Sequence, residues 1–218
     1  MKNILIMNSQ EIIDKLNWRY ATKKFDTSKK LTNEQLSNLL EVVQLSPSSF
    51  GVQPYRILVI SDPDVRAKLR AAGSNQPQIT DASQLFVFAV YDNFDSSHIE
   101  DYIHNIAATR ETSRESLAGM EGVLKSIVNS KNKEELKNWN SRQAYIALGT
   151  LLESAALLGF DACPMEGFNN SEFDEILNLR EKNLTSVVIA AVGFRDEDDK
   201  YQHYKKVRKH RKDLFIEI

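Results

Sequence analysis

Five short segments carry the residues with chemical potential. Arg19 and Lys23 follow the first amphipathic stretch at a turn-length separation, and a second basic run, Tyr201 to Lys212, contains Lys206 and Arg208. A guanidinium can grip a phosphate through paired N–H donors, whereas an ammonium is a compact charge suited to a single oxygen. Taken alone, each run equally describes a solvated basic patch, and Asp196-Glu197-Asp198-Asp199 partly cancels the second. Between them lies Ser46-Pro47-Ser48-Ser49-Phe50-Gly51-Val52-Gln53-Pro54. Its prolines disfavour continuation of a helix, and its hydroxyls, glycine and amide suit a rigid polar cradle for a planar, acceptor-rich ligand. The same residue types also make ordinary helix-to-strand connections. Asn75-Gln76-Pro77-Gln78 offers amides able to read a donor/acceptor edge. In Cys163-Pro164-Met165-Glu166-Gly167-Phe168, Pro164 and Gly167 predict an irregular backbone with free amide donors. Glu166 is a candidate acid or a surface carboxylate. Cys163 has no visible base and reads as a small buried residue.

These segments need positioning elements, and the chain supplies them. Ser9 is placed to cap a short helix whose Ile12, Ile13 and Leu16 share one face. Thr32 and Gln35 form a capping-box pattern before Leu36-Leu39-Leu40-Val43. Arg56 to Ile60 predicts a strand, and Asp62-Pro63 opens a helix that ends near Gly73. Leu85 to Tyr91 is a continuous apolar run, as in a central strand covered on both faces. Residues 99–129 read as a polar helical region anchored by Leu117, Leu124 and Val128. From Glu134 to Leu158 the pattern is helical, and its second half is apolar almost all round, which predicts a buried central helix closed by Gly159. A short helix over 172–179 and a third buried strand over 185–192 follow. The C-terminal Asp213 to Ile218 has β-type alternation suited to adding a strand to a partner sheet. Strands separated by helices, without repeats or a linker, predict one α/β or α+β domain.

The 218 residues, 42% hydrophobic and 27% charged, fit one sizeable globular domain rather than a disordered chain. A net charge of -2 gives no general reason to expect a nucleic-acid partner. The longest apolar runs are too short to span a bilayer. Met1 to Met7 is too briefly apolar for a signal peptide, and a single cysteine fits a reducing cytoplasm. The chain lacks Gly-x-Gly-x-x-Gly, a P-loop and a Gly-x-Ser-x-Gly elbow, and its four histidines form no ligand cluster, so no metal is expected.

In order, the chain carries Arg19-x-x-x-Lys23-x-Phe25, Ser46-Pro-Ser-Ser49 with Gln53-Pro54, Asn75-Gln-Pro-Gln78 with Asp81-Ala-Ser83, Pro164-Met-Glu-Gly167-Phe, and Lys206-x-Arg208. From about Glu11 onward this resembles the flavin-dependent nitroreductase family, in particular its oxygen-insensitive NAD(P)H branch. The resemblance implies an α+β fold, a few-stranded central sheet covered by helices, in an intertwined homodimer. It implies one FMN-binding domain over 1–218 with a helical excursion at about 92–137, and FMN at each subunit interface. Arg19, Lys206 and Arg208 would hold the FMN phosphate beside Tyr20 and Ala21. Lys23, Asn75 and Gln78 would meet the pyrimidine side of the ring, Pro164, Met165, Glu166 and Gly167 one ring face. Ser48, Ser49, Gly51 and Gln53 would come from the other subunit. Many relatives carry asparagine where Gly51 stands, and some carry lysine where Gln78 stands.

The implied activity is ping-pong transfer from NADH or NADPH through the flavin to nitroaromatics, quinones or similar conjugated acceptors, with no catalytic side chain. The alternatives are a same-fold reductase of one metabolite, such as a dihydropteridine or enone, and a non-catalytic flavin-binding or nucleic-acid-associated module. Partners would be a second copy and a small acceptor, without nucleic acid or membrane, in the cytoplasm.

Overall fold

The computed structural model describes residues 8–218. Met1 to Met7, read above as too short for a signal peptide, lies outside the described residues. The sheet has strands β1 (Tyr55–Ile60), β2 (Gln84–Tyr91), β3 (Asp161–Met165) and β4 (Leu184–Gly193), in the order β1-β2-β4-β3, all antiparallel. Around it lie α1 (Ser9–Trp18), α2 (Asn33–Gln44), α3 (Pro63–Ala72), α4 (Gln78–Asp81), α5 (Ser96–Thr109), α6 (Ala118–Asn129), α7 (Lys133–Leu158), α8 (Asn170–Ile176) and α9 (Arg211–Leu214). This is the expected α+β arrangement, a small sheet covered by helices.

The continuous apolar run at 85–91 becomes β2, an inner strand with partners on both edges and cover on both faces. Phe86, Phe88 and Val90 point to one face, where Ala147 and Leu151 of α7 and Leu39 and Val43 of α2 pack. Leu85 and Val87 point to the other, against Leu69 of α3, Phe173 of α8 and the β3 side chains Cys163 and Met165. Truncating a fully buried residue such as Leu151 to alanine would cost about 2–5 kcal/mol.

The structure corrects several sequence expectations. A fourth strand, β3, occupies the segment expected to be irregular from Cys163. Pro164 is tolerated there because β3 is an edge strand, and the irregular backbone begins only at Glu166. Asn8, rather than Ser9, caps α1 through a capping box with Glu11. The apolar face of α1 is not buried in the protomer, with Ile13 and Leu16 exposed. Helix α7 is buried on one side only, since it covers a single sheet face, and Tyr145 and Ile146 remain exposed. In the helical excursion, Ile99, Ile103 and Ile106 of α5 pack with Leu124 and Val128 of α6 as a separate apolar cluster. The three isoleucines, at i, i+4 and i+7, were the missed stripe. Finally, Arg211–Leu214 is a helical turn, in which the Asp213 and Leu214 N–H groups donate to the His210 carbonyl.

Candidate functional site

The cationic corner is assembled from both ends of the chain. Arg19 caps the C-terminus of α1, and the Lys206 ammonium donates to its carbonyl. Arg19, Tyr20, Ala21, Lys23, Lys206 and Arg208 line one cleft of about 340 Å³. The Arg19 guanidinium is pushed below its usual pKa by burial and then by Arg208. Lys206 is pushed down by burial and then by Arg19 and Arg208. Among the described residues, no ion pair includes any of these four cations. Like charges held together without an ion-pair partner favour an anion between them.

Two carboxylates that sequence reading passed over fix this corner. Buried Asp199 accepts from the Tyr20 hydroxyl at 2.9 Å, the Lys23 and Lys24 N–H groups at 2.7 and 3.0 Å, and the Tyr201 N–H at 3.1 Å. Burial alone would raise its pKa, but these donors hold it below the usual carboxylate range. Buried Asp161 pairs with Arg195 at 2.7 Å, and the guanidinium stacks 4.1 Å from the Trp18 ring and 4.6 Å from the Tyr20 ring. The signal for Asp199 was its place before a turn of 3-10 helix, Lys200–His203, which it caps.

The second part of the site lies beside β3. A parallel bridge pairs Ala21 with Ala162, so Lys23 lies close enough to Cys163 to influence its thiol. That thiol is nevertheless pushed up, chiefly by burial, which argues against a thiolate nucleophile. The Gln76 amide donates to the Gly167 carbonyl at 2.9 Å and thereby ties the 75–78 turn to the end of β3. Asn75 is exposed with φ 55. Gln78 is buried at the start of α4, and its Oε1 has no hydrogen-bond partner among the described residues. Met165 turns its side chain into the core, so only its backbone can face a ligand there. The Glu166 and Gly167 N–H groups make none of the turn and loop hydrogen bonds among the described residues. The Glu166 carboxylate accepts from the Tyr145 hydroxyl at 2.6 Å, and Tyr145 is pushed up to about 12, first by burial and then by this bond.

The Ser46 to Pro54 loop stands apart from that set. Ser49 N–H donates to Gln143 Oε1 at 2.7 Å, Gln53 N–H to Ser48 Oγ at 2.9 Å, and the Gln53 amide nitrogen to the Gln44 carbonyl at 2.9 Å. Gln143 and Tyr145 are two residues apart on α7, roughly 200° around a helix of 3.6 residues per turn. One protomer therefore holds its loop and its Glu166 corner on opposite sides of α7. Sequence reading missed Gln143, Tyr145 and Tyr102, which hold these segments from α7 and α5.

Among the described residues, no group of three or more histidine, cysteine, aspartate or glutamate side chains is placed to hold a metal, and no helix is long and apolar enough to cross a membrane.

A family model described as the Nitroreductase family matches residues 16–194. A provisionally named NAD(P)H nitroreductase of Staphylococcus epidermidis is 31% identical over 214 residues, spanning 94% of this chain and 96% of that protein. The crystal structure of a provisionally named nitroreductase from Bacillus subtilis superposes with a TM-score of 0.86 at 21% identity, covering 97% of this chain and all of the other. Another such protein, from Exiguobacterium sibiricum and solved in complex with FMN, superposes with a TM-score of 0.80 at 20% identity, covering 98% of each chain.

Proposed function

Because this chain belongs to the nitroreductase family, we propose that it is an NAD(P)H-dependent FMN oxidoreductase acting on nitroaromatics, quinones or similar conjugated acceptors. The observation that carries the reading is the cluster of Arg19, Lys23, Lys206 and Arg208 in one cleft, without an acidic ion-pair partner among the described residues. Two further features fit the cofactor. Among the described residues, the buried Gln78 Oε1 has no partner, and the Glu166 and Gly167 N–H groups are outside the loop hydrogen-bond network.

When bound, FMN supplies two-electron redox chemistry between the nicotinamide and the acceptor. The chain's own groups bind and orient. Arg19, Lys206 and Arg208 hold the phosphate, and Tyr20 and Ala21 form the cleft wall beside them. Lys23 brings positive charge to the pyrimidine side, where charge favours the electron-rich form. Asn75 and Gln78 offer amides on that side. Pro164 to Gly167 supply backbone against one ring face, with Tyr145 holding the Glu166 side chain. No side chain is assigned proton transfer, so protons come from solvent.

The reading includes a homodimer. Ser48, Ser49, Gly51 and Gln53 lie across α7 from their own Glu166 corner, so they reach such a site most directly on a second copy. Exposed apolar residues support this, including Ile13, Leu16 and Trp18 of α1 and Tyr145 and Ile146 of α7. Titrating flavin-free protein with FMN tests the proposal. Flavin fluorescence should saturate at one FMN per chain, with riboflavin binding at least about tenfold more weakly because it lacks the phosphate. Equal affinity for both, or no uptake, would reject the site as drawn.

A further inference from the structure

The loop that bears Ser48, Ser49 and Gln53 has an unusual backbone. Phe50, Gly51 and Gln53 have φ of 54°, 77° and 46°. Positive φ is uncommon for non-glycine residues, above all for one as bulky as phenylalanine, and it persists where surrounding contacts over-determine it. One such contact comes from the helical excursion. The Tyr102 hydroxyl, on α5, donates to the Phe50 carbonyl at 2.6 Å. The same hydroxyl also lies where a side chain at residue 51 would begin. A Cβ built on Gly51 would stand 2.6 Å from the Tyr102 oxygen but 3.6 Å from its ring carbon Cζ, an ordinary contact.

We propose that Tyr102 is a positioning residue for the flavin site and that Gly51 is its obligate companion: the hydroxyl clamps the 46–54 loop, and only a residue without Cβ leaves room for it. This rests on the reading that the loop serves the FMN site. Asparagine tolerates positive φ comparatively well. What stands in its way here is the Tyr102 hydroxyl.

The test is a double-mutant cycle with G51N, Y102F and the double variant, each read in two ways. Hydrogen exchange of the loop amides in flavin-free protein reads the clamp. FMN affinity reads its use. Y102F should speed exchange of the Gly51, Val52 and Gln53 amides and weaken FMN binding about threefold to tenfold, with the thermal midpoint of the whole protein little changed. G51N alone should weaken FMN binding about as much as Y102F does, because a Cβ at residue 51 displaces the Tyr102 hydroxyl from the Phe50 carbonyl. In the Y102F protein the same substitution should cost about threefold or less, because the colliding oxygen is gone. Independent effects of the two substitutions, or unchanged loop exchange in Y102F, would overturn the clamp. Faster exchange with unchanged FMN affinity would overturn its positioning role. If the wild type bound no FMN, the oxidoreductase reading would fail, while the exchange data would still decide the clamp.

Discussion

Replacing Asp199 with asparagine should loosen the cationic corner without removing a single cation from it. The carboxylate takes four donors on two oxygens, three of them on Oδ2. An asparagine has one acceptor oxygen, so whichever way its amide turns, at least one donor meets an NH₂ group. Hydrogen bonds to a charged acceptor contribute about 1.5–3 kcal/mol against about 0.5–1.5 for neutral pairs, and a buried donor left unpaired costs about 1–3 kcal/mol. After partial relaxation, the expected loss is about 3–5 kcal/mol near neutral pH, a large share of a typical domain's stability. The sign with pH follows from the depressed pKa. A carboxylate more acidic in the folded state contributes its stability above its unfolded value, about 3.9, and loses it as pH falls through the folded value. Urea unfolding should therefore show a full gap between wild type and D199N at about pH 7, narrowing below about pH 4. A gap under about 0.5 kcal/mol near neutrality, the range of ordinary surface substitutions, would refute the reasoning, as would one that widened in acid.

Three further outcomes follow from the same geometry. Arg19→Gln should weaken FMN binding about 10–100-fold while leaving riboflavin affinity unchanged, since it removes a charged phosphate donor; comparative fluorescence titrations check this. Arg195→Met leaves Asp161, 4% exposed, without its cation, and should cost about 3–5 kcal/mol in denaturant unfolding. An ultraviolet titration of Tyr145→Phe should lack one of the tyrosines that resist ionisation, namely the one that titrates at about 12 in the wild type.

Local rules carried the sheet and helix boundaries far. Thr32 and Gln35 cap α2, Asp62 and Pro63 start α3, and Gly159 ends α7 in a left-handed conformation, each as its residue type dictates. The apolar run at 85–91 announced an inner strand because both its faces are covered. What stayed hidden depends on topology. Pro164 argued against a strand, and nothing local reveals that β3 would be an edge. The apolar faces of α1 and α7 promised burial, but in the protomer part of each stays exposed. In the site, the cations and amides were visible as types and spacings. The residues that hold them, Asp161, Asp199, Gln143, Tyr145 and Tyr102, act across separations from 21 to 179 positions in the chain. An acidic run looks like solvated charge until folding turns Asp199 inward.

The central claim is that electrons pass from a nicotinamide to an acceptor at the Arg19, Lys23, Glu166 and Arg208 site. Its most direct test is an anaerobic absorption experiment on the protein loaded with FMN. The account predicts a yellow protein whose visible band bleaches on adding NADH or NADPH and returns on adding a nitroaromatic or a quinone. A protein that holds FMN yet keeps its colour with both nicotinamides, or one that takes up no flavin, would contradict it.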